Sequence, residues 1–219
     1  MALEKESSPT GGDAREHLVA PSWGGGVPAS GRLGFEAFRN GSFLGRHELS
    51  FCMRGSNLVV AVAVDYAVKF GPLTFFKYKL RGQEIWSGGV LVSARMQTNN
   101  NGAREFMSAD LDGDALFVEG SKARGARAPK GSLLTTHWNI AQLDGPMINP
   151  QDGSLLRFSV KALGDSKIAD ASGRTHMARR YALRGENSLD LWYDDTSVWK
   201  CLRAKAVDGS LIAYSAATG

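Results

Sequence analysis

The chain has 219 residues, 43% of them hydrophobic and 22% charged, enough apolar material to bury a core and too much for a globally disordered polymer. Its 26 lysines and arginines against 22 acids leave a net charge of +4, short of the concentrated positive charge of a dedicated nucleic-acid binder. No run approaches the ~20 apolar residues of a membrane-crossing helix, and no basic stretch followed by an apolar one marks a secretory signal. The sequence as given is therefore expected in the cytoplasm, or in the periplasm if its N-terminus has been processed.

Residues 1–31 are rich in Gly, Ser and Pro and carry no sustained periodicity, so they read as a flexible or wrapping arm. Trp23 is the side chain that would anchor it to a groove or to a neighbouring copy. Residues 32–219 read as one domain. About a dozen runs of roughly eight to ten apolar and β-branched residues are each closed by a short Gly, Asn or Asp break, the pattern of an antiparallel meander. Leu33 to Arg39 is the first strand, and Asn40-Gly41 makes the first hairpin turn. Phe43 to Met53 follows, with His47, Leu49 and Phe51 on one face against Glu48, Ser50 and Cys52 on the other. Leu58 to Phe70 is nearly all apolar, which predicts a central strand covered on both faces. Leu73 to Trp86, Val90 to Thr98, Arg104 to Leu111 and Ala115 to Glu119 continue the meander. There it breaks. Residues 120–131 form a small-residue loop carrying Lys122, Arg124, Arg127 and Lys130, expected to be solvated, and Ser132 to Leu143 has helix-like spacing. Strands resume at Leu155 to Leu163, Thr175 to Leu183, Leu189 to Tyr193, Val198 to Ala206 and Leu211 to Ser215. The fold class is all-β, an antiparallel meander forming a closed or half-open barrel with a short helix or lid.

The interruption concentrates the chemistry. In Thr135-Thr136-His137-Trp138-Asn139, His137 would act as acid or base near neutral pH, Asn139 would orient a substrate oxygen and Trp138 would touch an apolar ligand. The same residues would also serve structure, with a threonine capping a helix and Trp138 plugging the barrel end. Phe76, Tyr78, Glu84 and Trp86 share one face of one strand. Facing inward, they present a phenol, a carboxylate and an indole to one cavity, and the buried Glu84 then needs a partner such as Arg180 or Arg81. Facing outward, Glu84 is solvated. Arg180 and Tyr181 complete the candidate ligand-binding set. Asp194-Asp195 reads as a hairpin turn. His17, His47, His137 and His176 show no metal-ligand spacing and no serine lies in GxSxG, so neither a metal nor another cofactor is expected, and an ordinary serine hydrolase is excluded. Cys52 and Cys201 are expected as small buried hydrophobes, or as a disulfide if barrel closure brings them together.

The segments FEAFRNGSFLGRH, KYKLRGQEIWSGGVLVS, TTHWN and RRYALRGENSLDLWYDDTSVWK together resemble an uncharacterised bacterial family. Its pattern runs from RNGxxxGxH through ExWxxGxL to a Tyr-Trp-Asn or His-Trp-Asn triplet and a final LWYDxxGxW hairpin. The resemblance spans Arg32 to Tyr214 and implies an exported, all-β, lipocalin-like or lipoprotein-carrier-like barrel, with no activity attached. This chain departs from the pattern in lacking a visible signal peptide and in having Thr196-Ser197 where Gly is usual. The expected function is binding of an apolar or amphipathic small molecule, lipid or isoprenoid-like, inside the barrel. The alternative is a cofactor-independent lyase, isomerase or cyclase using His137 with Glu84 or Tyr78. A second alternative is a structural subunit that forms a homo-oligomer or larger assembly through its N-terminal arm.

Overall fold

The structure is a computed structural model that describes residues 25–70, 73–129, 131–185 and 187–217. Trp23, His17 and Lys130 lie outside the described residues. Of the expected arm, residues 25–31 are described: Val27 packs on the core, and the Phe51 amide donates to the Gly31 carbonyl at 2.9 Å.

Eight strands precede the break in the meander: β1 (Arg32–Arg39), β2 (Ser42–Arg54), β3 (Asn57–Phe70), β4 (Leu73–Ser87), β5 (Val90–Asn100), β6 (Ala103–Asp112), β7 (Ala115–Gly120) and β8 (Ala126–Ala128). Three two-residue strands follow, β9 (Leu133–Leu134), β10 (Met147–Ile148) and β11 (Leu155–Leu156), which form a small sheet of their own. The chain ends with β12 (Phe158–Ala169), β13 (Thr175–Gly185), β14 (Ser188–Tyr193), β15 (Trp199–Lys205) and β16 (Leu211–Ala216). The main sheet has thirteen strands in the order β12 to β16 and then β1 to β8, and β16 pairs with β1 to join the two halves. Its end strands β12 and β8 do not pair with each other, so the expected barrel is half-open rather than closed among the described residues.

Alternation sets one face of this curved sheet inward. On β3, Leu58, Val60, Val62 and Val64 are buried, while Ala61 is exposed and Ala63 and Asp65 are half-exposed. The expectation that β3 is covered on both faces is therefore corrected. Val59 is the buried apolar side chain of its outward face, where Ala61, Ala63 and Ala67 are apolar in sequence but too small to require a second layer. On β2 the same rule exposes Cys52, which falls on the parity of Glu48 and Ser50, so it is not the buried hydrophobe expected. Cys201 is buried in a satellite cluster with Ile168, Ala178 and Trp192, and both cysteines are free thiols.

Residues 132–148 pack into the concave face, where Leu134, Trp138, Met147 and Ile148 join the main core. The helix expected over Ser132 to Leu143 is replaced by an extended path and a single 3-10 turn at Ile140–Asp144. Burial at Ser132, Leu134, Thr136 and Trp138 has a period of two, and this alternation is what imitated helical spacing. The cap of the turn is Asn139, whose Oδ1 accepts from the Ala141 amide at 3.0 Å, rather than a threonine.

Two irregularities aim side chains at the interior. Opposite Ala37 and Phe38, β2 carries an extra residue and then Gly45 at φ +153°, where a Cβ would lie 1.9 Å from the Asp65 carbonyl oxygen. Only glycine fits there. On β15 the register skips Lys200, so that Trp199 pairs with Tyr193 and Cys201 with Trp192. This bulge turns Trp199 inward although it shares the sequence parity of the outward Cys201.

Candidate functional site

Cross-strand register stacks the inward residues in rows. The deepest polar row holds Glu84, between Val60 on β3 and Ala94 on β5. Glu84 is 1% exposed, and its hydrogen-bond partners among the described residues are all uncharged. Its Oε2 accepts from Trp86 Nε1 at 2.9 Å and Trp138 Nε1 at 3.0 Å, and its Oε1 accepts from Thr136 Oγ1 at 2.6 Å. Burial raises its pKa above the ordinary carboxyl value, opposed by these three hydrogen bonds. The two indoles meet edge to face at 5.1 Å, and Phe51 closes on Trp138 at 5.4 Å. This knot fastens residues 136–138 to the sheet. Of the suggested partners, Arg81 bonds Asp65 and the Val64 and Leu80 carbonyls. Arg180 lies on the outer face, paired with Asp190 and 5.2 Å from the Trp192 ring. Neither serves Glu84.

Two rows nearer the mouth, His47 on β2 pairs across to Phe35 and Val64. It is 5% exposed, and its Nε2 has no hydrogen-bond partner. Burial holds its pKa down at about 3, with His137 adding to the depression. His137 sits at φ +68° on the inserted segment, with its pKa held down at about 4 by burial against an opposing side-chain interaction with Gln142. Trp199 contacts both imidazoles, with ring centroids 5.4 Å from His47 and 5.3 Å from His137. Beside His137, Gln142 Nε2 donates to Tyr193 Oη at 2.8 Å, and Tyr193 Oη donates to the His137 carbonyl at 2.8 Å.

The next row runs Tyr214, Ala37, Gly45, Tyr66, Tyr78 across β16, β1, β2, β3 and β4. Because the two residues between Tyr214 and Tyr66 are small, the phenols lean across them and their hydroxyls hydrogen-bond to each other. Tyr78 stacks on Tyr66 at 5.8 Å, and Tyr214 meets His47 at 5.9 Å. Burial raises all three phenol pKa values, that of Tyr214 to about 12.

These rows enclose a cavity of about 770 Å³. His47, Tyr66, Tyr78, Tyr214 and His137 give it a polar belt, and Val62, Val64, Leu80, Val68, Phe76 and Ile212 are among the apolar side chains of its wall. Of the candidate residues, Phe76, Tyr78 and His137 line it. Glu84 and Trp138 lie behind it, screened by Thr136. Trp86 and Asn139 border a separate hollow of about 700 Å³ at the other end. Tyr181 packs in the core at 6.0 Å from Tyr193, and Arg180 is outside altogether. Glu84 and Tyr78, six positions apart on one strand, are separated by roughly 20 Å. The belt residues missed from sequence are His47, Tyr66 and Tyr214. His47 and Tyr66 lie on the buried parity of their strands and were legible from it. Trp199 was hidden by the bulge.

Residues 35–217 match the family described as Domain of unknown function (DUF6134). The chain belongs to the DUF6134 family. A solved structure, a β-barrel-like protein of domain of unknown function DUF1849 from Brucella abortus, is similar with a TM-score of 0.59. The match covers 85% of this chain and 95% of that one at 9% identity, a likeness of fold. No curated protein matches. In this DUF6134 chain the four segments that carried the resemblance converge. His47 comes from the first, Glu84 and Trp86 from the second, His137, Trp138 and Asn139 from the third, and Tyr193 and Trp199 from the last.

Proposed function

We propose that the protein binds a small apolar or amphipathic molecule, lipid or isoprenoid-like, in the cavity between β1–β4, β16 and residues 135–137. The observation that carries this reading is an apolar hollow of about 770 Å³ that holds a buried imidazole with no partner for its Nε2. Ligand pockets of about 300–1,000 Å³ with a few convergent polar groups are the common form of such sites. A buried polar atom without a partner costs stability, and a ligand that bonds it recovers that cost.

The test is uptake of the neutral fluorophore N-phenylnaphthylamine, with stoichiometry from native mass spectrometry. The wild-type protein is expected to bind one probe molecule with enhanced emission. Val64→Trp, which fills the hollow beside His47, should abolish the signal while far-ultraviolet circular dichroism stays unchanged. Absence of uptake by the wild type, or full uptake by folded Val64→Trp, overturns the reading.

One observation favours a second reading, cofactor-independent acid-base chemistry in the same cavity. His137 is a non-glycine residue held at φ +68° on the cavity wall, and strained backbone of this kind clusters at functional sites. At neutral pH its depressed pKa leaves it uncharged and able to accept a proton, and of the proposed partners Tyr78 lines the same cavity. Glu84 would act only through Thr136.

A further inference from the structure

Resting on the binding reading above, we infer that the cavity selects ligands whose polar group is an uncharged oxygen, an alcohol or a carbonyl, and discriminates against carboxylates and other anions. Three observations carry this. First, the belt offers hydrogen bonds and no charge. His47 Nε2 is unpartnered at 5% exposure, and a neutral imidazole presents there either a lone pair or an N–H. The hydroxyls of Tyr66 and Tyr214 share one hydrogen bond, which uses one of their two hydrogens and leaves the other to donate. An acceptor and a donor side by side match a hydroxyl, which both gives and takes, or a carbonyl, which takes.

Second, among the described residues the belt lacks the countercharge that an anion would need. Among the described residues, Arg39 is the one lysine or arginine lining the cavity, and it stands at the rim, already engaged. It is ion-paired with Asp208, and its Nε donates to Ser210 Oγ at 2.9 Å. A carboxylate brought down to the belt would leave water and meet only neutral dipoles.

Third, the histidines do not supply the missing charge. His47 and His137 both pack against Trp199, and protonating both would place two mutually repelling cations close together inside a low-dielectric wall. Their depressed pKa values agree with that geometry.

The experiment is competition against bound N-phenylnaphthylamine by decanol and by decanoate, equal in chain length and different in headgroup charge, with wild-type protein near neutral pH. Decanol is expected to displace the probe at a concentration at least about tenfold below that required of decanoate, about 1.4 kcal/mol of discrimination. His47→Leu, checked for folding by circular dichroism, should weaken decanol by about tenfold and narrow the gap. Equal displacement by the two, or tighter binding of decanoate, overturns the headgroup inference and leaves the binding site standing. Failure of the wild type to take up the probe overturns the binding reading itself.

Discussion

Glu84 and His47 are both buried polar side chains on the concave face of one sheet, two rows apart, and their surroundings differ. Around Glu84 both oxygens are bonded, to Trp86, Trp138 and Thr136, and indole rings fill the remaining space. Around His47 an acceptor or donor is left open and the neighbouring space is a cavity. A saturated polar group in a packed setting positions a segment, here residues 136–138. An unsaturated one against a void has a free-energy deficit that a ligand can offset. The distinction is set by partners, since both groups are almost fully buried.

The sharpest way to break this comparison is to remove both side chains in the same manner. Glu84→Leu leaves two indole N–H groups and the Thr136 hydroxyl unsatisfied, and should destabilise the protein by about 3 kcal/mol or more. His47→Leu removes an orphaned nitrogen at similar volume and should change stability by less than about 1 kcal/mol, in either direction. Urea unfolding of the two variants decides between them. A loss from His47→Leu as large as that from Glu84→Leu would show that the imidazole is as firmly bonded as the carboxylate and would remove the basis for a vacant belt.

The same pair responds to pH with opposite sign. The folded-state pKa of His47, about 3, lies below its ordinary 6.5, so the unfolded chain binds more protons in between. Stability from this group is therefore complete above pH 6.5 and lost as pH falls, by about 1 kcal/mol per unit. His137, at about 4, acts in the same direction. Glu84 has a raised pKa, so its contribution is complete below its ordinary 4.5 and declines as pH rises above it. Urea midpoints measured from pH 4 to pH 6.5 should show a shallower rise in His47→Leu than in the wild type. Glu84→Gln should instead remove the decline above pH 4.5. Identical slopes in wild type and His47→Leu would mean that the imidazole titrates as if in water.

Much of this architecture is written in period-two alternation. Twelve strand segments read from the sequence correspond to observed strands, and the inward parity that buried Leu49 also carried His47. The alternation failed where the chain departs from simple register. At Lys200 one extra residue reverses the face of Trp199, and a bulge leaves no mark in hydrophobic pattern. In residues 132–138 an extended segment buried on one side mimicked a helix, because apolar and polar positions happened to repeat at compatible intervals. Partners were the other blind spot. The sequence marks Glu84 as needing a partner, but charge complementarity points to arginines, whereas two tryptophans and a threonine supply the bonds. The Tyr66–Tyr214 pair could not be foreseen at all, since it depends on β16 closing against β1 and on Ala37 and Gly45 lying between them.

The smallest expected effect concerns the turn that delivers Trp199 to its contacts with the two histidines. Asp194 organises it, its Oδ1 accepting from the Thr196 and Val198 amides at 3.0 and 2.9 Å. Ser197 then adopts φ +64°, a left-handed conformation costly for a residue with a side chain, at the position where the resembled pattern carries glycine. Ser197→Gly removes that strain while adding backbone freedom to the unfolded chain, and the balance should favour the folded state by about 0.5–1 kcal/mol. The effect should appear in urea midpoints with an unchanged denaturant slope. Probe binding should remain at the wild-type level, because the substitution alters the support of Trp199 and no belt residue. If Ser197→Gly is instead destabilising, the serine side chain contributes more than its backbone conformation costs, and the turn belongs with the saturated region around Glu84.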